Sequence, residues 1–245
     1  MLFFMVRVGV AAYKVTSTHD VDGYLAFLEA SLDRSLDLFV GPEFALSPRC
    51  FGVLPAEPFP LHERLESLSR AHPATVIIPG TGLVKIDVGH AQNCAFVYSA
   101  GDVASFNKQS DYGETQKLAD QNLGYLRGPT AINTFSVGDK KAWLSICGDS
   151  CRKAETVCHD SDLEIVISHD MNAGVRQSIL SPTNPRHIIL SDRSGPLAPV
   201  ARSADRTLRL MAPEEMYAFT DGSREGLVKV SECAQPQRLV VYTLP

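Results

Sequence analysis

The chain has 245 residues, a length that favours a single large domain spanning residues 1–245. Its 23 basic and 28 acidic side chains give a formal net charge of −5, which argues against a broad nucleic-acid-binding surface, because such a surface needs a basic stripe. The most apolar stretch, Met1–Tyr13, carries Arg7 and is far shorter than the roughly 20 residues of a membrane-spanning helix. We therefore expect neither a nucleic-acid partner nor a membrane partner.

The cysteines indicate the compartment. Six of them are spread along the chain, and its first residues lack the basic start and small-residue cleavage site of a secretory signal peptide. This pattern favours reduced thiols over a disulfide framework, so we expect a cytoplasmic protein.

Short apolar runs alternate with amphipathic runs along the chain. The runs that predict strands are Val6–Tyr13, Leu36–Val40, Val76–Pro79, Ala95–Ser99, Val103–Phe106, Ala142–Ile146 and Leu163–Ser168. The runs that predict helices are Val21–Ser35, Leu61–Ala71 and Ser150–His159. The last fifty residues are typical of strand and loop. Strands and helices mixed in this way predict a layered α/β domain.

Glu43 directly follows one of the predicted buried strands, in the segment Asp37-Leu-Phe-Val-Gly-Pro-Glu43. Gly41 and Pro42 fix the chain there and place the carboxylate at the edge of the sheet, where ligands of α/β proteins usually bind. Taken alone, a glutamate in such a loop is more often solvated.

A lysine and a second glutamate follow a later strand. Lys108 ends the segment Ala104-Ser-Phe-Asn-Lys108, and Tyr112-Gly113-Glu114 comes shortly after it. A strand-end lysine is usually a solvated charge, but a lysine in a closed site stabilises a developing oxyanion. Gly113 indicates a turn that directs the Glu114 carboxylate.

The third strand end carries a cysteine, in the segment Ala142-Trp-Leu-Ser-Ile-Cys147-Gly-Asp149. A thiol before a helix has a lowered pKa, because the amide N–H groups and the helix dipole favour the thiolate. The N–H of Gly148 is also placed to help hold an oxyanion. A buried, inert cysteine is about as common an outcome.

Together the three segments resemble the nitrilase superfamily of carbon–nitrogen hydrolases, over roughly residues 6–170. Glu43, Lys108 and Cys147 match the family's Glu, Lys and Cys in order, approximate spacing and flanking residues. Gln92-Asn93 before a strand and the Pro79-Gly-Thr-Gly82 turn are similar to further family features. No single motif is specific, but the three in order are a strong match.

The resemblance implies a four-layer α-β-β-α sandwich and an amidase-like hydrolase that needs neither cofactor nor metal. It implies that Cys147 attacks an amide or nitrile carbon, with Glu43 as general base and Lys108 stabilising the oxyanion. Glu114 is the candidate for the family's second glutamate, which positions the lysine and the substrate. The residues proposed around the substrate or the oxyanion are Gly148, Asp149, His169 and Asp170.

The chain departs from the family pattern after about residue 171. Residues 171–187 contain Pro182 and Pro185 and lack the family's Arg-Ala-x-Glu-Asn pattern. The predicted helix after Cys147 is also short. Both helices contribute to the usual family dimer, so a homo-oligomer remains open and that dimer surface is in question.

Three cysteines and a histidine raise the question of a metal site. Cys147, Cys151, Cys158 and His159 have the spacing C-x3-C-x6-C-H, which lacks paired C-x2-C ligands and argues against a metal site.

Three functions stay open: an amidase-type hydrolase, an acyltransferase that passes the acyl group to an acceptor other than water, and a non-catalytic relative with a binding role. The intact Glu, Lys and Cys residues disfavour the last.

Overall fold

A computed structural model describes residues 5–13, 19–48, 51–56, 60–129, 133–151, 161–169, 187–192, 217–220, 223–226, 228–231 and 238–244. Its strands are β1 Val6–Ala12, β2 Leu38–Val40, β3 Val53–Leu54, β4 Val76–Ile78, β5 Thr81–Lys85, β6 His90–Ser99, β7 Asp102–Asn107, β8 Gly124–Tyr125, β9 Thr134–Val137, β10 Lys140–Ile146, β11 Leu163–Ser168, β12 His187–Asp192, β13 Tyr217–Thr220, β14 Ser223–Gly226, β15 Val228–Ser231 and β16 Arg238–Leu244. Its helices are α1 Val21–Leu32, α2 Pro60–Ala71 and α3 Glu114–Ala119, with a 3-10 helix at Cys147–Cys151.

The strands form two main sheets. The larger sheet runs β15-β16-β1-β2-β4-β6-β5-β3, and β7 and β8 also pair with β6. The smaller sheet runs β12-β11-β10-β9, with β10, β11 and β12 parallel. A separate hairpin joins β13 and β14.

Apolar residues at every second position of the strands let the two sheets pack against each other. Val8 and Val10 of β1 belong to the same apolar cluster as Leu144 of β10 and Ile165 of β11. Alternate residues of a strand point to opposite faces, so the strands of each sheet contribute one face to this layer. At the strand ends, the Glu43 N–H donates to the Ser168 carbonyl across the two sheets (3.3 Å).

The helices cover the other face of the larger sheet. Leu25 and Leu28 of α1 and Leu65 of α2 lie in a second cluster with Phe39 and Ile77 of the sheet. The first turn of α1 is capped by Asp20, because its carboxylate accepts the N–H groups of residues 22 and 23. Helix, sheet and sheet are thus three successive layers in the described residues.

The α/β architecture predicted from the sequence is confirmed, with shifts at the element ends. Helix α1 ends at Leu32, three residues before its predicted end, and β6 begins five residues before the predicted strand at Ala95. The Gly-rich segment predicted as a turn opens β5 at Thr81. All six residues of β11 are buried, so both of its faces are covered, as a four-layer sandwich requires. The helices expected to form the fourth layer lie outside the described residues.

Candidate active site

Glu43 lies on a tight turn after β2 and is 1% exposed. The turn depends on Gly41, because a Cβ there would come within 2.0 Å of the Tyr24 hydroxyl and 2.4 Å of the Pro79 carbonyl. Tyr24 donates to that same carbonyl (2.6 Å). The turn holding Glu43 is therefore closely packed, and the sequence-based expectation of a solvated glutamate does not apply.

Lys108 follows β7 directly and is also 1% exposed. Its Nζ donates to Oε1 of Glu43 at 2.9 Å and to Oε1 of Glu114. The hydroxyl of Tyr125 donates to the Lys108 carbonyl (3.3 Å) and the Ser110 carbonyl (3.2 Å), which holds the segment that follows the strand. One ammonium therefore lies between two buried carboxylates.

Glu114 is the first residue of α3 and is 3% exposed. Gly113 before it has φ 106°, a left-handed conformation that lets the chain turn sharply enough for the six-residue spacing from Lys108. Oε2 of Glu114 accepts the Tyr112 N–H (2.7 Å). Asp111, which is nearer to Lys108 in the sequence, instead accepts the N–H groups of Gly113 and Thr115.

Cys147 directly follows β10 and begins the 3-10 helix. Its φ of 49° is unusual for a residue with a side chain and is typical of strained functional turns. The charges of Glu43, Lys108 and Glu114 all act on its thiol. Asp149, two residues further on, accepts the N–H groups of Gln109 and Ser110, so the cysteine turn lies next to the segment that follows Lys108.

Burial controls the ionisation of these groups. It raises the pKa of Glu43 above its ordinary value, although Lys108 opposes the rise. Burial opposes the charge of Lys108, but the carboxylates of Glu43 and Glu114 overcome it, so the lysine pKa is raised. Lys108 is therefore a cation throughout the neutral range.

The predicted lowering of the Cys147 pKa is wrong for this structure. Burial raises the pKa of the thiol and the negative charge of Glu43 raises it further, while Lys108 and a hydrogen bond from the Gly148 N–H oppose the rise. The sequence predicts an α-helix at 150–159, but the structure shows a 3-10 helix that ends at Cys151. Residues 152–160 lie outside the described part. A turn this short supplies little dipole, so the thiol stays protonated until a base acts.

Position 148 has room only for a glycine, because another side chain packs close to it. A Cβ at this position would lie 1.8 Å from the ring of Tyr112. Tyr112 is 56% exposed, and its ring centroid is 6.0 Å from Nζ of Lys108. The tyrosine therefore lies at the open side of the site, where the sequence suggested no role for it.

Asp149 is 7% exposed and its carboxylate contacts protein. It accepts the N–H of Gln109 (2.9 Å), the N–H of Ser110 (2.7 Å) and the Ser110 hydroxyl (2.5 Å). These bonds tie the cysteine turn to the segment after Lys108. The predicted contact of Asp149 with a substrate stays a prediction.

His169 follows β11 and packs edge-on against two rings. Its ring centroid lies 5.3 Å from that of Phe44 and 5.2 Å from that of Phe51. Phe44 adjoins Glu43, so His169 lies beside the site, and its predicted contact with a substrate stays a prediction. Asp170 lies outside the described residues.

Asn93 is a site residue to which the sequence analysis gave no role. It lies in β6 with 0% exposure, and its Nδ2 donates to Oε1 of Glu43 (2.7 Å). The signal was present in the sequence as the Gln92-Asn93 pair, but only the fold shows that this strand runs past Glu43.

No group of His, Cys, Asp and Glu among the described residues could hold a metal ion. Cys158 and His159 of the weighed metal alternative lie outside that part. Within the same ranges no helix is long and apolar enough to cross a membrane.

Known proteins resemble this chain in fold rather than in sequence. No family model matches the sequence, and no curated protein matches it. Solved structures do match. A CN-hydrolase superfamily protein from Xanthomonas campestris, with an arsenic adduct in its active site, has a TM-score of 0.64 at 14% identity, covering 99% of this chain and 91% of its own.

Two structures of an amidase from Nesterenkonia sp. AN1 are similar too. A mutant described as belonging to the nitrilase superfamily has a TM-score of 0.67 at 14% identity, covering 98% of this chain and 92% of its own. Another mutant, with acrylamide added to the active-site cysteine, has a TM-score of 0.66 at 12% identity, with coverage of 98% and 93%.

The class that fold and site define is a two-sheet α/β protein with a cysteine beside a buried lysine and two glutamates. Its fold is that of the carbon–nitrogen hydrolase, or nitrilase, superfamily. The resemblance stated from the residues is confirmed at the level of the fold.

Proposed function

We propose that this protein is a cysteine-dependent hydrolase of a non-peptide C–N bond in a small molecule, with an amide as the substrate. The observation that carries the proposal is the buried Lys108 ammonium held between Glu43 and Glu114, beside Cys147. Three ionisable groups taken out of water around a thiol are costly to bury, and such clusters are typical of active sites. The shared fold with the two amidase structures supports the same activity.

The first half-reaction forms an acyl-enzyme. Cys147 Sγ attacks the amide carbon as Glu43 takes the thiol proton, so the raised pKa of the glutamate suits it as a base. Lys108 stabilises the oxyanion, and the Gly148 N–H, which already faces the sulfur, is placed to assist. The C–N bond then breaks, Glu43 returns the proton to the amine, and a thioester remains on Cys147.

The second half-reaction consumes water. Glu43 takes a proton from the water, whose oxygen attacks the thioester carbon, and Lys108 again stabilises the oxyanion. The C–S bond breaks, Glu43 passes its proton to the thiolate of Cys147, and a carboxylic acid leaves. Glu114 accepts a hydrogen bond from the ammonium, so its task in both halves is to hold Lys108.

Ammonia release from a panel of short aliphatic amides tests the proposal. We expect wild-type protein to release ammonia and Cys147→Ser to release none. Cys94→Ser is the matched control, because Cys94 is buried in β6 at 4% exposure and burial raises its pKa to about 12. The proposal fails if no amide is hydrolysed, or if Cys147→Ser keeps the wild-type rate.

A further inference from the structure

Asn93 contacts both Glu43 and Lys108, which carry opposite charges. Its Nδ2 donates to the Glu43 oxygen, Oε1, that also accepts Nζ of Lys108. Its main-chain carbonyl accepts the Lys108 N–H (2.8 Å). One residue of β6 therefore fixes both the carboxylate of Glu43 and the backbone from which the lysine extends.

The carbonyl end of the same side-chain amide makes no such contact. Oδ1 of Asn93 is buried and has no hydrogen-bond partner among the residues that the structure describes. An unsatisfied buried acceptor destabilises a fold, so an asparagine here is a poor choice for stability alone. What the Asn93 amide contributes is therefore the hydrogen bond that its Nδ2 donates to Glu43.

We propose that Asn93 is a positioning residue that orients the Glu43 carboxylate toward Lys108 and keeps it ionised for proton transfer. This role deepens the proposed function and rests on it. A donor on a carboxylate stabilises its charged form. The hydrogen bond from Asn93 accordingly opposes the rise that burial causes in the Glu43 pKa.

Other groups also act on Glu43 and have to be held constant. Among the described residues, the titratable groups whose charges interact with it come from four different segments and include Lys108, Glu114, Tyr125 and Cys147. None of them is altered by a substitution at Asn93, so a change in Glu43 titration would report on the amide.

The experiment follows the Glu43 carboxyl by NMR in protein labelled with ¹³C at the glutamate side-chain carboxyl, with Glu43→Gln to assign its signal. We expect Asn93→Ala to raise the pKa of Glu43 by about one unit, since a hydrogen bond to a charged group is worth about that much. Asn93→Leu removes the donor at about the same size without adding a charge, and we expect a rise of the same order. Gln92→Ala is the control, because its side chain points to the opposite face of β6.

The kinetic readout is the acidic limb of kcat/KM, which should move to higher pH with the Glu43 pKa in both Asn93 variants and stay in place in Gln92→Ala. An unchanged Glu43 pKa and an unchanged limb would overturn the proposal, whatever the loss of rate or of thermal stability. If Asn93→Ala does not fold, Asn93→Leu, which adds no charge, decides by the same two readouts. If the wild type hydrolyses no amide while the Glu43 pKa moves as expected, the proposed function fails and the role of Asn93 in holding Glu43 stands.

Discussion

Lys108 is the residue on which the charge balance of the site depends. It is the one cation in contact with Glu43 and Glu114 among the described residues, and all three are almost fully buried. Removing one partner from a buried ionic cluster leaves uncompensated charge, which costs more than the cluster itself contributed.

Lys108→Met should therefore impair both activity and stability. We expect turnover to fall by at least about 10²–10³-fold, the usual effect of losing an oxyanion donor. We expect the free energy of unfolding at neutral pH to fall by about 3–5 kcal/mol. Because burial raises the pKa of a carboxyl, protonation should restore part of this stability as the pH falls. Urea unfolding at two pH values measures this free energy of unfolding, and Lys85→Met, on β5, is the control. Equal stability of Lys108→Met and wild type would place the lysine in solvent.

The two glutamates should differ in the step that each one blocks. Gln keeps the shape of Glu but accepts no proton at neutral pH. Glu43→Gln should prevent acylation, because Cys147 then loses its base, whereas Glu114→Gln keeps an acceptor for Lys108 and should still form the thioester, at a reduced rate. Intact-mass spectrometry after addition of an amide distinguishes them. An acyl adduct on Glu43→Gln and none on Glu114→Gln would reverse the two roles.

At the scale of elements, turns rather than helices hold the reactive groups. The Glu43 turn is fixed by Gly41, by the Thr81 hydroxyl, which accepts the Phe44 N–H (3.0 Å), and by His19, whose Nε2 donates to the Ala45 carbonyl (2.8 Å). Thr81 and His19 belong to different segments, so the turn depends on packing across the larger sheet.

Gly41→Ala should shift this turn. The added methyl group would meet the Pro79 carbonyl, a backbone atom that has little freedom to move. Overpacking of this kind costs about 1–3 kcal/mol, which corresponds to a melting temperature lower by roughly 2–12 °C in a chain of this size. Gly89→Ala is the matched control, because its nearest neighbour would be 3.8 Å away. A melting temperature equal to that of the control would contradict the packing described for the turn.

His19 should make the stability of the turn depend on pH. Burial lowers its pKa below the ordinary value of 6.5, so the folded protein holds the ring neutral. The unfolded chain then binds the proton first as the pH falls, and stability that is complete above about 6.5 is lost below it. Urea midpoints at pH 7.5 and 5.5 should differ less in His19→Gln than in wild type. His72→Gln, just after α2, should keep the wild-type difference. An equal difference in all three proteins would show that His19 does not cause the pH dependence.

At the scale of the whole molecule, the sequence predicted most of the buried strands and the residues at their ends. Glu43, Lys108 and Cys147 were identifiable because each closely follows an apolar run, a pattern that is local in sequence. The contact between Asn93 and Glu43 joins residues far apart in the chain, and nothing local encodes it. The ring of Tyr112 against Gly148 also depends on two chain segments meeting.

The ionisation of Cys147 was predicted wrongly for a related reason. A local pattern of strand, cysteine and helix start indicates a thiolate. The structure adds what the pattern omits, namely burial of the thiol and a net negative surrounding made of two glutamates and one lysine. Electrostatic shifts depend on all neighbours in space, so they follow from the fold and not from the flanking residues.

The proposed function requires that Cys147 forms a covalent acyl intermediate during C–N bond cleavage. Its most direct test is rapid-quench intact-mass spectrometry of wild-type protein mixed with an amide that it turns over, followed by peptide mapping of the adduct. We expect an added acyl mass on Cys147, formed with the release of one equivalent of ammonia, and neither adduct nor turnover in Cys147→Ser under the same conditions. An acyl group mapped to another residue, or turnover that persists in Cys147→Ser, would contradict it.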